Sequence, residues 1–277
     1  MFSHNWQSLR LDGYAPMNES DTISVQLRNF DISDFDVLTE EMNFNADGFI
    51  TGYALISSLK ATPMVLADLR IEELGMNGDE IGDAEIESLW NNDDKSVDLE
   101  ANIFKETKRM LYAFGSYYTA RDEDNLDFTA VLDSLRLSLL TPLLNGFVSR
   151  VQGYGNGTID IKGSLQQPDI NGKVSITDGG CKIGYMNTFY TFNPTLLVDN
   201  QTIRFEDMVL VDTLGNKAQV EGEIRHNRFK DFYLDLKLHP RNFLALATSS
   251  KDNDTFYGTA IADGLVTIKG PFKDIDL

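Results

Sequence analysis

The stretch Asp231–Leu238 reads DFYLDLKL, with Phe232, Leu234, Leu236 and Leu238 on one side of a strict alternation. Successive side chains of a strand point to opposite faces, so this beat describes a half-buried strand. It recurs along the chain, in Ile23-Ser24-Val25-Gln26-Leu27, in Val97-Asp98-Leu99-Glu100-Ala101-Asn102-Ile103 and in Gln219-Val220-Glu221-Gly222-Glu223-Ile224-Arg225. Turn signals stand between such runs: Asp47-Gly48, Asn77-Gly78, Gly215-Asn216 and Asp263-Gly264. A chain written this way is expected to form a mainly β fold, an elongated antiparallel sheet with one dry face and one wet face. Its 17 Phe and 10 Tyr suit strands better than helices.

Two segments depart from the beat. In Val131–Leu144, Leu132, Leu135, Leu139 and Leu143 fall on a helical stripe that Pro142 and Gly146 would stop. The expectation there is a strand to about Leu132 and then a short helix. Asn102–Gly115, around Phe104, Met110 and Leu111, is a second helical candidate. The fold class is therefore β with one or two short helices.

Charge divides the chain. The net charge is −19, and a phosphate-binding surface needs clustered Lys and Arg, so nucleic acid is excluded as a partner. Residues 1–150 carry 27 acids and 11 bases, residues 151–277 only 16 and 13. An N-terminal β portion with an acidic surface, 1–150, and a C-terminal portion, 151–277, continuous with it, are expected to join near Gly146–Gly157. No run reaches the roughly 18 apolar residues that span a bilayer. The opening MFSHNWQSLRLDGY lacks the basic and apolar regions of a signal peptide.

The residues that usually carry chemistry are sparse. His4, His226 and His239 are far apart, and Cys181 is the single cysteine, so no metal spacing and no intrachain disulfide arise. No serine sits in a G-x-S-x-G elbow. Asp93-Asp94 and Asp122-Glu123-Asp124 read as solvated turns, and Asn156 and Asn200 match the short glycosylation pattern. The glycine-rich run Gly153–Gly180 has neither the P-loop spacing nor a dinucleotide fingerprint opening a helix. Its glycines read as bends in a sheet. No catalytic residue, metal or cofactor is expected, and the chain is read as a non-enzyme.

A one-faced sheet must cover its dry face, with a second sheet, by closing into a barrel, or by folding along its length into a trough. The trough would be lined by Ile159, Ile161, Val174, Ile176, Ile203, Phe205, Leu210, Val220, Ile224, Leu234, Leu236, Leu238, Val266 and Ile268. Such a lining suits acyl chains, and its edge strands suit pairing with another strand. Ordinary core packing of the same residues is the competing expectation. Two alternatives from other classes are a carbohydrate-active β-helix or sandwich enzyme, using Asp160, Asp169 and Asp178, and an adhesin-like structural β-sandwich. The motif Gly-x-(Ile/Val)-x-Ile-Lys-Gly also occurs twice, from Gly157 and from Gly264, as expected of an elongated stacked architecture. The second copy breaks off at the chain's end, which suggests a piece of a longer protein.

Leu135–Ile176, with Leu140-Thr141-Pro142, Gly153, Gly157, Ile161-Lys162-Gly163, Pro168 and Gly172, resembles the C-terminal region of TamB-like proteins. These form the translocation and assembly module family of the AsmA-like superfamily. Asp212-Thr213-Leu214-Gly215-Asn216, Gly222-Glu223-Ile224-Arg225-His226 and Tyr257-Gly258-Thr259-Ala260 extend the likeness over most of the chain. The resemblance implies a β-taco, a long folded sheet with an apolar interior. It implies a periplasmic protein of the Gram-negative cell envelope, held in the inner membrane by a segment outside this chain. Its implied partners are an Omp85-type outer-membrane barrel and either phospholipid acyl chains or nascent outer-membrane β-strands. The implied role is outer-membrane protein assembly or phospholipid transport between the membranes, without catalytic residues.

Overall fold

Alternation becomes strand in the described residues. A computed structural model describes residues 7–13, 22–35, 46–57, 64–76, 78–139, 148–165, 167–227, 230–251 and 257–271. The protein is mainly β and antiparallel: seventeen strands share one sheet, and two more form a separate two-stranded sheet. The chain divides into two compact units, Met1–Val131 with Asp160–Pro168, and Leu132–Ile159 with Asp169–Leu277.

The first unit holds a meander of β1 (Ser8–Asp12), β2 (Thr22–Asp31), β3 (Ala46–Ser57), β4 (Met64–Met76), β5 (Asp79–Asn91), β6 (Ser96–Lys105) and β7 (Lys108–Tyr118). Each strand pairs with the next. Their register puts Leu27, Gly52, Leu69, Ile86, Ala101 and Ala113 in one cross-strand row on the dry side. Leu27, Ala54, Ala67, Ile71, Ala84 and Val97 are buried there. On the wet side Asp68, Glu87 and Glu100 stand directly opposite one another, an arrangement that costs stability through like-charge repulsion. They border a shallow depression of about 290 Å³.

The strand β8 (Leu126–Arg136) begins in the first unit and ends in the second, and β9 (Val148–Gly163) does the reverse. The second unit continues with β10 (Pro168–Ile183), β11 (Thr188–Phe192), β12 (Thr195–Val198), β13 (Thr202–Glu206), β14 (Val209–Val211), β15 (Lys217–Asn227), β16 (Lys230–Arg241), β17 (Phe243–Thr248), β18 (Gly258–Ala262) and β19 (Val266–Pro271). β10 is long enough to pair in succession with β12 and β11. β12 pairs with β13, β13 and β14 with β15, β15 with β16, and β16 with β19.

Three expectations need correction. Asn102–Gly115 is no helix but parts of β6 and β7, joined at a tight turn where Glu106 has φ 55°. Val97–Ile103 already alternates, and that pairing outweighs the helical spacing of Phe104, Met110 and Leu111. Val131–Leu144 stays extended through Arg136 and then makes a 3-10 turn at 137–139. The proposed stops at Pro142 and Gly146 lie outside the described residues. The only other helical turn among the described residues is Ile32–Phe35, also 3-10. Asp47-Gly48 is not a turn but a bulge inside β3, with a register shift between Asp47 and Phe49 and φ 131° at Gly48. The other signals behave as turns: Gly78 lies between β4 and β5, Gly215-Asn216 between β14 and β15, and Asp263-Gly264 between β18 and β19. Asn77 itself lies outside the described residues.

The glycine-rich run is strand, not loop, forming much of β9 and β10. At Gly157 φ is 158°, and a Cβ would sit 2.0 Å from the Lys173 carbonyl oxygen on β10. The two backbones approach so closely there that no side chain fits.

Candidate functional site: an apolar sheet face in the second unit

Register decides which side chains share a face. Val220, Gly222 and Ile224 on β15 oppose Leu238, Leu236 and Leu234 on β16. Those three oppose Val266, Ile268 and Gly270 on β19. In the other direction Ile224 faces Ile203 on β13, Ile203 faces Val198, Phe205 faces Leu196, and Leu196 faces Val174 on β10. Ile159 on β9 joins the same side, its Cγ1 3.1 Å from where a Cβ at Gly172 would be. Directly opposed residues point the same way, so these positions make one continuous apolar surface.

The sequence-predicted lining is thereby largely gathered. Val174, Ile176, Val220 and Leu234 are buried, 7%, 4%, 7% and 3% exposed. Ile159, Ile203, Phe205, Leu210, Ile224, Leu236, Leu238, Val266 and Ile268 are half-buried. Ile161, also half-buried, belongs to the first unit. The opposite face of the same strands is polar, with ion pairs Lys173–Glu206 at 3.0 Å, Arg225–Asp235 at 3.2 Å and Lys269–Asp235 at 3.3 Å.

One end of the apolar face is covered. Tyr190 on β11, Ala218 on β15 and Phe243 on β17 form a buried cluster, with Ile183 and Leu210 packed against it. The Tyr190 and Phe243 rings stack with centroids 4.9 Å apart, and the Tyr190 hydroxyl donates to the Leu244 carbonyl at 2.9 Å. Beside them the Asp212 carboxylate accepts from the amides of Leu244 (2.7 Å), Asn216 (2.8 Å) and Leu214 (2.9 Å). Burial pushes its pKa up, but these amides outweigh burial and hold it below the ordinary 3.8.

The depressed value fixes a sign. A carboxylate whose folded pKa is depressed contributes stability that is complete above its unfolded value and is lost as pH falls through the folded one. Asp212→Asn should therefore be less stable than wild type by about 2 kcal/mol at neutral pH. That gap should narrow as pH drops below 3.8. Urea unfolding across pH checks this; a gap independent of pH would contradict it.

Cys181 sits opposite Tyr190 in the β10–β11 pairing. Burial pushes its thiol up to about 11, so it is protonated at neutral pH and serves packing. His226 is buried, its ring 5.7 Å from that of Phe232. Burial lowers its pKa against the opposing pull of Asp199. His239 faces Gln219 across β15–β16, and His4 lies outside the described residues. Among the described residues no group of three His, Cys, Asp or Glu is placed to hold a metal ion. Asp160 accepts from the Thr129 hydroxyl at 2.8 Å, Asp169 accepts from the Asn200 amide, and Asp178 is exposed with φ 51°. Asp160 falls in the first unit and the other two in the second.

Leu196, Val198, Ala218, Tyr190 and Phe243 were not foreseen. Leu196-Leu197-Val198 has no alternation to announce a face, and Tyr190 and Phe243 meet only through folding. Of the first unit only Ile161 is among the expected lining residues, although Ile23–Leu27 and Val97–Ile103 carry the beat of that unit's dry face. A scan of protein-family models and searches of curated proteins and of solved structures find no match to this chain.

Proposed function

We propose that the second unit presents its apolar sheet face as a binding groove for extended apolar cargo, and that the protein is a non-enzymatic carrier or chaperone of the cell envelope. One observation carries the reading. The apolar rows running from β10 through β12, β13, β15 and β16 to β19 are mostly half-buried. A closed core buries such residues throughout, and a free surface leaves them exposed. Half-burial along a continuous row suits a trough that is shielded yet reachable. Unbranched acyl chains fit it best: they need contact with Ile, Val, Leu and Phe and no polar anchor, and each buried methylene contributes roughly 0.8 kcal/mol.

The resemblance to TamB-like proteins supplies the setting for this reading. In it the chain is a periplasmic β-taco segment of a Gram-negative envelope protein. It works with an Omp85-type barrel and passes phospholipid, or nascent barrel strands, between the membranes. The polar opposite face, with its ion pairs around Asp235, keeps such a segment soluble while the other face stays dry.

A photoactivatable fatty acid tests the site. Crosslinks should map to peptides of β13, β15, β16 and β19 and be competed by unlabelled phospholipid. Crosslinks scattered over the wet faces of both units, without competition, would overturn the groove.

A further inference from the structure

We propose that the β17–β18 hairpin is a hinged cap, closing one end of the apolar face and opening without unfolding the sheet beneath. β16 and β19 are direct neighbours, with Leu238 opposite Val266. Adjacent antiparallel strands need only about two to five connecting residues. Here the chain from Asn242 to Leu265 intervenes, and its two strands pair only with each other, as a separate two-stranded sheet. The sheet does not require this insertion for its own connectivity.

The attachment runs through β17, buried or half-buried along its length. Phe243, 3% exposed, packs against Tyr190 and Ala218, and Leu244 and Thr248 on the same strand are 7% and 8% exposed. Hydrogen bonds to β17 include Leu244 N–H to Asp212, Tyr190 O–H to the Leu244 carbonyl, Ala247 N–H to the Met186 carbonyl at 3.0 Å, and Asn187 Nδ2 to the Ala247 carbonyl at 2.8 Å. β18 is exposed from Gly258 to Ile261. A lone two-stranded hairpin is marginal in water, so these β17 contacts hold it in place.

The stem of the hairpin has two legs. Both legs carry left-handed residues, Asn242 at φ 49° and Gly264 at φ 100°. They are tied together by Asn242 N–H to Asp263 at 2.8 Å and Gly264 N–H to the Pro240 carbonyl at 3.3 Å. Release of β17 would leave that base intact and uncover Tyr190, Ala218, Leu210 and Ile183. The cap is a property of the fold; its bearing on cargo rests on the groove proposed above.

Amide hydrogen exchange on the full chain tests the hinge. In wild type, β17 amides should exchange at least tenfold faster than those of β15 and β16, as a separate opening unit. Tyr190→Phe, which removes one latch bond, should speed β17 exchange about fivefold to tenfold and leave β15 and β16 unchanged. Exchange of β17 together with β15 and β16, accelerated equally in the variant, would overturn the cap. A parallel titration with cis-parinaric acid separates the two ideas. Tighter binding by Tyr190→Phe supports a cap over the groove. Failure of the probe to bind either protein contradicts the groove, while the exchange pattern still decides the hinge.

Discussion

Gly222→Val should remove a large part of the stability of the second unit. Gly222 lies in mid-strand on β15, opposite Leu236, with φ 122°. A Cβ there would stand 2.1 Å from the Asp235 carbonyl oxygen, a backbone atom of the neighbouring strand. That atom cannot withdraw without breaking the β15–β16 ladder, which runs in unbroken register on both sides of the contact. A β-branched residue also pays for the left-handed backbone. Together these cost about 4 kcal/mol, against a total of about 5–15 kcal/mol for a typical domain. Gly215→Ala is the control: φ is 86° in an open turn with nothing within 4 Å of a new Cβ. It should cost only about 1 kcal/mol. Urea unfolding followed by far-ultraviolet circular dichroism reads both. Equal losses in the two variants would show that close strand approach is not what demands glycine at Gly222.

The second large effect is a contrast between two arginines on one face. Leu234 is 3% exposed in the middle of its row. Leu234→Arg buries a charge with no partner and should unfold the unit, since uncompensated burial of an ion costs several kcal/mol. Ile268 is half-buried on β19, opposite Leu236. An arginine there keeps its stem on the apolar surface and its guanidinium in water. Ile268→Arg should remain folded, losing about 1–2 kcal/mol, and should weaken cis-parinaric acid binding at least tenfold. If Ile268→Arg unfolds as completely as Leu234→Arg, the face is an ordinary packed core.

The strands were readable because a period of two survives in single residues: Phe232, Leu234, Leu236 and Leu238 mark one face without any tertiary information. The helical reading of Asn102–Gly115 failed because short apolar spacings near Phe104 and Met110 satisfy a period of 3.6 almost as well as two. Pairing of β6 with β5 and of β7 with β6 settles the matter, and the first of these is not local. The apolar face of the second unit was legible for the same reason as its strands. Which rows it joins was not: Ile203 meets Ile224, and Val174 meets Leu196, through registers set by turns and bulges. In the first unit Ile23–Leu27 and Val97–Ile103 announce the dry face, while Gly52, Ala54, Ala67 and Ala84 on the strands between give little hydrophobic contrast. Phe243-Leu244-Ala245-Leu246 looks like one more strand of the meander. Only the pairing of β16 with β19 reveals that the chain leaves the sheet there and returns.

Native mass spectrometry of the purified 277-residue chain, followed by organic extraction, addresses the groove most directly. The expected result is a population carrying phospholipid- or fatty-acid-sized adducts. Extraction should release them, and Ile268→Arg should deplete them without loss of folding. A uniformly clean apo mass from gently handled protein, with no lipid in the extract, would contradict an apolar cargo site.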